Sequence, residues 1–417
     1  MAMTRIMNLH IAAFDMAITH LQAMWWLWLG RSRSKREDYG GALTCYERVL
    51  RFFPNDLRAL ANVGNCLHHQ ERYAEAIDFY DRALQIRADY PDVHARIGAI
   101  FCHLQRYQES IDSLSRAFRM KPSLKEDSSF SLTFAISLAY LGKTKDALGA
   151  YRAALEQNPR NAWALAGVGW ALLELGNFAD AELPLRDAIR LEPGLGKAVL
   201  HLSFVLGGLK RYDEALVLAE RFAALEPENP TAHANVGWFL SETGRQREAL
   251  IAYKRSVELN PNIAEGYCEL GRIHERLGEF QQAIDAEEKA LSLDQNPLAF
   301  CVMGLALLEQ GNHERSIYYS EKATELRSNY YEAWANLGEA LLVTGQLEKA
   351  VVCFEKVLEL APAIPEIAYV RLQIGTAQLK LGNTEAAQNQ YRLLHAMNSD
   401  KANELCNAIL ANGHCKS

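Results

Sequence analysis

The stretch Leu57–Tyr90 reads LRALANVGNCLHHQERYAEAIDFYDRALQIRADY. Leu60, Val63, Gly64 and Leu67 recur at intervals of three and four, which is one apolar stripe of an α-helix. After the polar break His68–Arg72 a second stripe runs through Tyr73, Ala76, Ile77, Tyr80, Ala83 and Leu84. The stretch therefore predicts a helical hairpin, with the turn inside the break. A lone hairpin cannot bury its apolar faces, so the flanking chain must supply more of them.

It does so with a period of 34 residues. Counting from Ala23, glycine falls at the eighth position of the unit as Gly30, Gly64, Gly98, Gly169, Gly237, Gly271, Gly304, Gly338 and Gly375, and the two other units hold Ala135 and Ser203. Twelve positions later every unit carries Ala or Ser, from Ala42, Ala76 and Ser110 to Ala350 and Ala387. Two small residues in fixed phase let paired helices approach closely. Units end in Pro54, Pro122, Pro159, Pro193, Pro227, Pro261 and Pro362, which cannot continue a second helix. Stacked hairpins that touch mainly their neighbours make an all-α solenoid.

The phase slips at three places. Residues are gained around Lys125-Glu126-Asp127 and Pro365-Glu366-Ile367, and one is lost near Gln295-Asn296. None of these segments has the Gly, Ser or Pro run of a flexible tether, so one continuous array is expected over residues 23–401, with Ser123–Ser129 as its hinge.

The unit resembles the tetratricopeptide repeat, whose pattern is carried here by Trp334, Leu337, Gly338, Leu341, Ala350, Phe354, Val357 and Pro362; Leu341 and Val357 stand where that pattern has Tyr and Ala. About eleven such units span residues 23–401. The resemblance implies an α-solenoid wound as a right-handed superhelix of stacked hairpins. It also implies that the first helix of each hairpin lines a concave wall, with the ninth position pointing inward. That position reads Ile136, Trp170, Phe204 and Trp238 in four consecutive units, and Trp163 stands near the start of one of the same helices. Two readings are open for these rings. They line a groove for an extended peptide or partner helix, or they fill the seam between neighbouring first helices. In the next unit the wall turns polar with Glu265, Glu269, Arg272 and Glu275, a pattern suited to a basic or amide-rich ligand or to plain solvation. The Lys, Asn and Arg set with which some members of the family grip a terminal carboxylate is missing. Asn62, Asn235 and Asn336 are similar to the asparagine ladder of the repeat domain of protein O-linked N-acetylglucosamine transferases, but are too scattered to form one.

Composition sets limits on function. A net charge of -7 gives no general basic excess for nucleic acid. The one dense basic run, Arg31-Ser32-Arg33-Ser34-Lys35-Arg36, meets Glu37-Asp38 at once and reads as the solvated turn of the first hairpin, or as a contact for a membrane surface or other anion. The cysteines Cys45, Cys66, Cys102, Cys268, Cys301, Cys353, Cys406 and Cys415 include no Cys-x-x-Cys and no zinc-like Cys/His spacing. Cys268 and Cys301 hold equivalent places in successive units, but packed helices lie about 8–10 Å apart, beyond disulfide reach. A reducing, cytoplasmic location is expected.

Residues 6–30 are mostly apolar and end in Met24-Trp25-Trp26-Leu27-Trp28-Leu29. His10, Asp15, His20 and Gln22 interrupt them, and Asn8, Asp15, Thr19 and Gln22 align at helical spacing, so residues 1–22 read as an amphipathic cap helix or a membrane-interface segment. A cleaved signal is not expected, because the run leads into tryptophans and arginines. Ala402–Ala411 predicts a short capping helix before the tail to residue 417.

No metalloprotease, phosphate-loop or nucleophile-elbow motif is present. Gly167-Val168-Gly169 and Gly194-Leu195-Gly196-Lys197 are expected to serve packing and turn geometry, and His68, His69, His274 and His313 to be surface residues without catalytic or metal-binding partners. The expected function is a non-catalytic scaffold, without cofactor or metal, that binds other proteins or peptides through Ile136, Trp163, Trp170, Phe204, Trp238, Glu269 and Arg272. The alternative is a substrate-recruiting subunit of a glycosyltransferase, or a membrane-tethered export or assembly factor, with membrane contact through residues 1–36. Solenoid ends that stack on each other leave self-association open.

Overall fold

The computed structural model describes residues 20–397 and 399–411. Asn8, Asp15, Thr19, the apolar run before residue 20, Cys415 and the tail after Ala411 lie outside the described residues. The described chain is all-α, an α-solenoid of paired helices, and divides into two compact units, Met1–Lys210 and Arg211–Ser417.

In the first unit the hairpins are α1 (helical over residues 20–34) with α2 (Tyr39–Phe52), α3 (Leu57–His69) with α4 (Tyr73–Ile86), α5 (Pro91–His103) with α6 (Tyr107–Met120), α7 (Ser128–Tyr140) with α8 (Thr144–Gln157), and α9 (Ala162–Glu174) with α10 (Phe178–Leu191), followed by α11 (Gly196–Gly208). The second unit begins with α12 (Tyr212–Leu225). It continues through α13 (Pro230–Glu242) with α14 (Gln246–Leu259), α15 (Ala264–Arg276) with α16 (Phe280–Leu293), α17 (Pro297–Glu309) with α18 (His313–Leu326), α19 (Tyr331–Val343) with α20 (Leu347–Leu360), and α21 (Ile367–Lys380) with α22 (Thr384–Ala396), and closes on α23 (Lys401–Ala411).

The periodic glycines are contact points. A methyl group added at Gly64 would sit 2.6 Å from Cε1 of Tyr80, sixteen residues on, and Gly98 faces Leu114 and Gly338 faces Phe354 in the same way. Removing the side chain on the first helix thus makes room for a large one on the second. Tyr80 is fully buried, and its hydroxyl donates to Oδ1 of Asn65 at 2.6 Å. In the last hairpin the partner changes, because Gly375 receives Leu405 of α23.

The hairpin turn repeats as faithfully. A residue with left-handed φ recurs between the first and second helix as Glu37, Glu71, Gln105, Gly142, Gly176, Lys210, Gly244, Gly278, Gly311, Gly345 and Gly382. The amide after it bonds back to the last turn of the first helix, as Arg72 N does to Leu67 O at 2.9 Å, which closes the helix end. From Gln105 to Gly142 the interval is 37 residues and from Gly278 to Gly311 it is 33. The former excess is taken up by a 3-10 turn, Pro122–Glu126, whose Leu124 packs among Phe118, Phe130 and Phe134 while Ser131 Oγ donates to Lys125 O at 2.7 Å.

One surface expectation is corrected. Of His68, His69, His274 and His313, only His69 is exposed; His274 is buried, and His68 and His313 are half-buried. His68 and His69 end α3, where Tyr39, Tyr73 and His103 pack against them. His274, near the end of α15, sets its Nδ1 2.6 Å from Glu279 Oε2, and His313 is the first residue of α18.

Candidate binding surfaces

Within the first unit, α7, α9 and α11 are the first helices of successive hairpins and touch one another along one wall. Their spacing leaves an open cavity of ≈ 330 Å³. Ile136 comes from α7, Trp163 and Trp170 from α9, and Leu200 and His201 from α11. The floor is Tyr151 of α8, which reaches under α9 because Gly167 has no side chain: a methyl there would collide with the tyrosine ring. Gly169 similarly admits Leu185, so both glycines of the Gly-Val-Gly run lie inside α9 as packing points. Trp163 keeps 48% of its surface exposed, while Ile136 and Trp170 are half-buried.

The rim is polar. Lys197 Nζ lies 3.4 Å from the Tyr140 hydroxyl, and His201 stands one helical turn beyond Lys197. Burial, with the nearby charge of Lys197, lowers the imidazole of His201 to about 4, so it is neutral at pH 7. Its Nδ1 is buried with no hydrogen-bond partner in the structure. An apolar cavity rimmed by a few polar groups is the usual form of a ligand site. Tyr140, Lys197 and His201 do not stand out in the sequence, since their role arises from neighbouring helices and not from repeat position. Phe204 is half-buried on α11 and does not line this cavity.

The second unit holds the remaining candidate residues. Trp238 is half-buried on α13, its ring 4.5 Å from that of Phe239. Glu269 and Arg272 on α15 form an ion pair with each other, and the Tyr253 hydroxyl donates to Glu269 at 3.3 Å. Arg272 also borders a cleft of ≈ 490 Å³ along α15, α17, α19 and α21, into which Glu275, Glu332, Glu339 and Glu366 and the rings of Tyr330, Tyr331 and Tyr369 contribute. Burial raises the carboxyls of Glu275 and Glu339, and Glu309 repels both. Arg276 donates to Ser241 Oγ at 2.8 Å. Asn336 is drawn into packing, its amide donating to the Cys301 carbonyl at 3.2 Å.

The seven described cysteines are free thiols, buried or half-buried. Burial pushes Cys66 and Cys301 up to about 12 and Cys353 to about 11, which leaves them unreactive at neutral pH. Among the described residues no three His, Cys, Asp or Glu side chains gather to hold a metal ion, and no helix is long and apolar enough to cross a membrane.

Models of the tetratricopeptide repeat match residues 27–91, 132–195 and 205–264, and further models of the same repeat match 252–285, 298–330 and 331–363. The chain belongs to the tetratricopeptide repeat family, a fold consistent with protein–protein interaction. Comparison with curated proteins finds no match. Among solved structures, the chain is similar to that of the APC/C hetero-tetramer Cut9–Hcn1, with TM-score 0.53 and 15% identity over 93% of this chain and 96% of that one. It is also similar to a tetratricopeptide repeat protein from Parabacteroides merdae (TM-score 0.47, 18% identity, 60% of this chain, 98% of that one). For yeast Tom70 the values are TM-score 0.42 and 13% identity over 94% of this chain and 95% of that one. These likenesses are of fold alone.

Proposed function

We propose that the chain is a non-catalytic scaffold that binds an extended segment of a partner protein, and that the cavity of the first unit seats an apolar side chain of that segment. The observation that carries this reading is the open, ring-lined cavity of ≈ 330 Å³ between α7, α9 and α11, with Trp163 exposed at its edge. Rings held by packed helices bury much area at little cost in entropy. Lys197 and the Tyr140 hydroxyl at the rim favour an acceptor, a backbone carbonyl or a carboxylate, next to the anchoring side chain. In the second unit the carboxylates beside three tyrosines favour a basic segment. Phe204 and Trp238 serve the same function on their own helices. Free thiols at every described cysteine fit a reducing compartment such as the cytoplasm.

Peptide-library selection on the purified chain tests the reading. Selected peptides should share a large apolar residue, and Trp163→Ala with Trp170→Ala should weaken them by about 2 kcal/mol or more while circular dichroism holds. Undiminished binding to the double variant would assign the rings to packing between repeats.

A further inference from the structure

Helix α1 is apolar on two opposite faces. Ala23 and Gly30 are buried, and Trp26 and Leu27 pack with Val49, Ala59, Leu50 and Phe53. The guanidinium of Arg48 lies 4.1 Å over the Trp26 ring and fixes that face further. On the other side Leu21, Met24, Trp25 and Trp28 succeed one another at helical spacing and expose 67%, 66%, 52% and 64% of their surfaces. The packed face holds the helix in orientation, so this second stripe stays turned outward.

Basic residues at the C-terminal end of the stripe select its occupant. Arg31 is three residues beyond Trp28, and Lys35 four beyond Arg31, so the stripe runs directly into cationic side chains. Arg33 is drawn off to Asp38 and the Gly41 carbonyl, whereas Arg31, Lys35 and Arg36 are exposed. Indole rings settle at the level of lipid headgroups, and basic side chains beside them meet anionic phosphates. A helix with one face packed on its repeat and an apolar stripe ending in basic residues on the other has the geometry of one lying along a membrane surface.

We propose that the outer face of α1 docks the chain on an anionic membrane surface, with Leu21, Met24, Trp25 and Trp28 seated at the headgroup boundary and Arg31, Lys35 and Arg36 on lipid phosphates. The proposal stands apart from the peptide-binding cavity and does not depend on it.

The test is co-sedimentation of the full chain with vesicles of phosphatidylcholine, with and without phosphatidylglycerol, and tryptophan quenching by brominated lipid. The expected result is salt-sensitive binding to the anionic vesicles with quenching, and little binding to phosphatidylcholine alone. Trp25→Ser with Trp28→Ser, both exposed and so tolerated by the fold, should abolish the quenching and weaken binding about tenfold or more. Arg31→Glu, Lys35→Glu and Arg36→Glu together should weaken it about a hundredfold. Equal binding by the variants, no binding by the wild type, or lipid-independent dimers abolished by the tryptophan changes would overturn it, the last by assigning the stripe to a second copy of the chain.

Discussion

The ring of Tyr39, the first residue of α2, lies flat on that of His69, the last residue of α3, with centroids 4.2 Å apart and planes 8° from parallel. The relationship recurs one repeat on as Tyr73 against His103 and again as Tyr107 against Tyr140, with planes 8° and 1° apart. Thr144 and Glu174 hold these two positions in the next repeat, and at the fifth Phe178 meets Gly208, where a methyl would stand 2.8 Å from its ring. The second helix of one hairpin is thus joined to the first helix of the next at the turn edge of this unit, and His68 packs edge-on to Tyr73 and His103 beside the stack.

The stack makes the first unit acid-sensitive. Burial, with His103, His69 and Arg96 near it, lowers His68 to about 4, and burial and Arg96 also lower His69. A base with a depressed folded-state pKa favours folding above the ordinary histidine value and loses that advantage as pH falls toward the folded value. Hydrogen exchange in α3 and α5 should therefore show protection falling between about pH 6.5 and 4, by roughly 1–2 kcal/mol once His68's partial solvent exposure is allowed for. His68→Leu should flatten the dependence. A profile that keeps its slope in that variant would place the titration elsewhere.

The hairpins were legible because the packing that makes them is written at fixed spacing: Gly64 against Tyr80 is one contact repeated along the chain. The ring stack was not, because His69 and His103 acquire partners only from an adjoining hairpin. The cavity was legible in part. Ile136, Trp163 and Trp170 stand out as large apolar residues on a first helix, whereas Lys197 and His201 are ordinary polar residues of α11 and matter only through what α7 and α9 place opposite them.

Glu287 occupies the place against Gly271 that Tyr80 holds against Gly64. It is fully buried, and its neighbours are the Cys268 thiol, a weak donor, and the more distant charge of Arg272, with no strong hydrogen-bond donor on either carboxylate oxygen. Burial raises its carboxyl well above the usual range. A raised acid favours folding below its unfolded pKa and loses that advantage as pH rises through the folded value, the reverse of His68. Protection in α15 and α16 should fall as pH rises from about 4.5, and Glu287→Leu should remove the slope and add about 2 kcal/mol at pH 8. Calorimetry of that variant checks the magnitude, and no gain in stability would mean that the carboxyl has a compensating partner.

Seven of the left-handed turn residues are glycine, but Glu37, Glu71, Gln105 and Lys210 adopt φ of 59–63° with a side chain present. Such a conformation costs a non-glycine residue roughly 1–2 kcal/mol, offset partly by the lower entropy of its unfolded chain. Glu71→Gly and Gln105→Gly should each raise stability by about 0.5–1 kcal/mol in chemical denaturation without changing the slope of the transition. The same substitution at an exposed mid-helix site such as Arg82 should destabilise by a similar amount.

At the rim of the first unit's cavity, Lys197 holds two neighbours at once: it approaches the Tyr140 hydroxyl and adds to the depression of His201. Lys197→Met keeps most of the apolar stem and removes the charge, so the His201 imidazole should titrate higher, closer to the ordinary histidine range, in an NMR pH series. If the rim recognises an acceptor beside the anchoring side chain, the same change should weaken peptides with an Asp or Glu next to the apolar anchor by about 1 kcal/mol, and leave neutral peptides almost unaffected. Equal losses for both peptide classes would mean that Lys197 shapes the cavity through packing and does not read the ligand's charge.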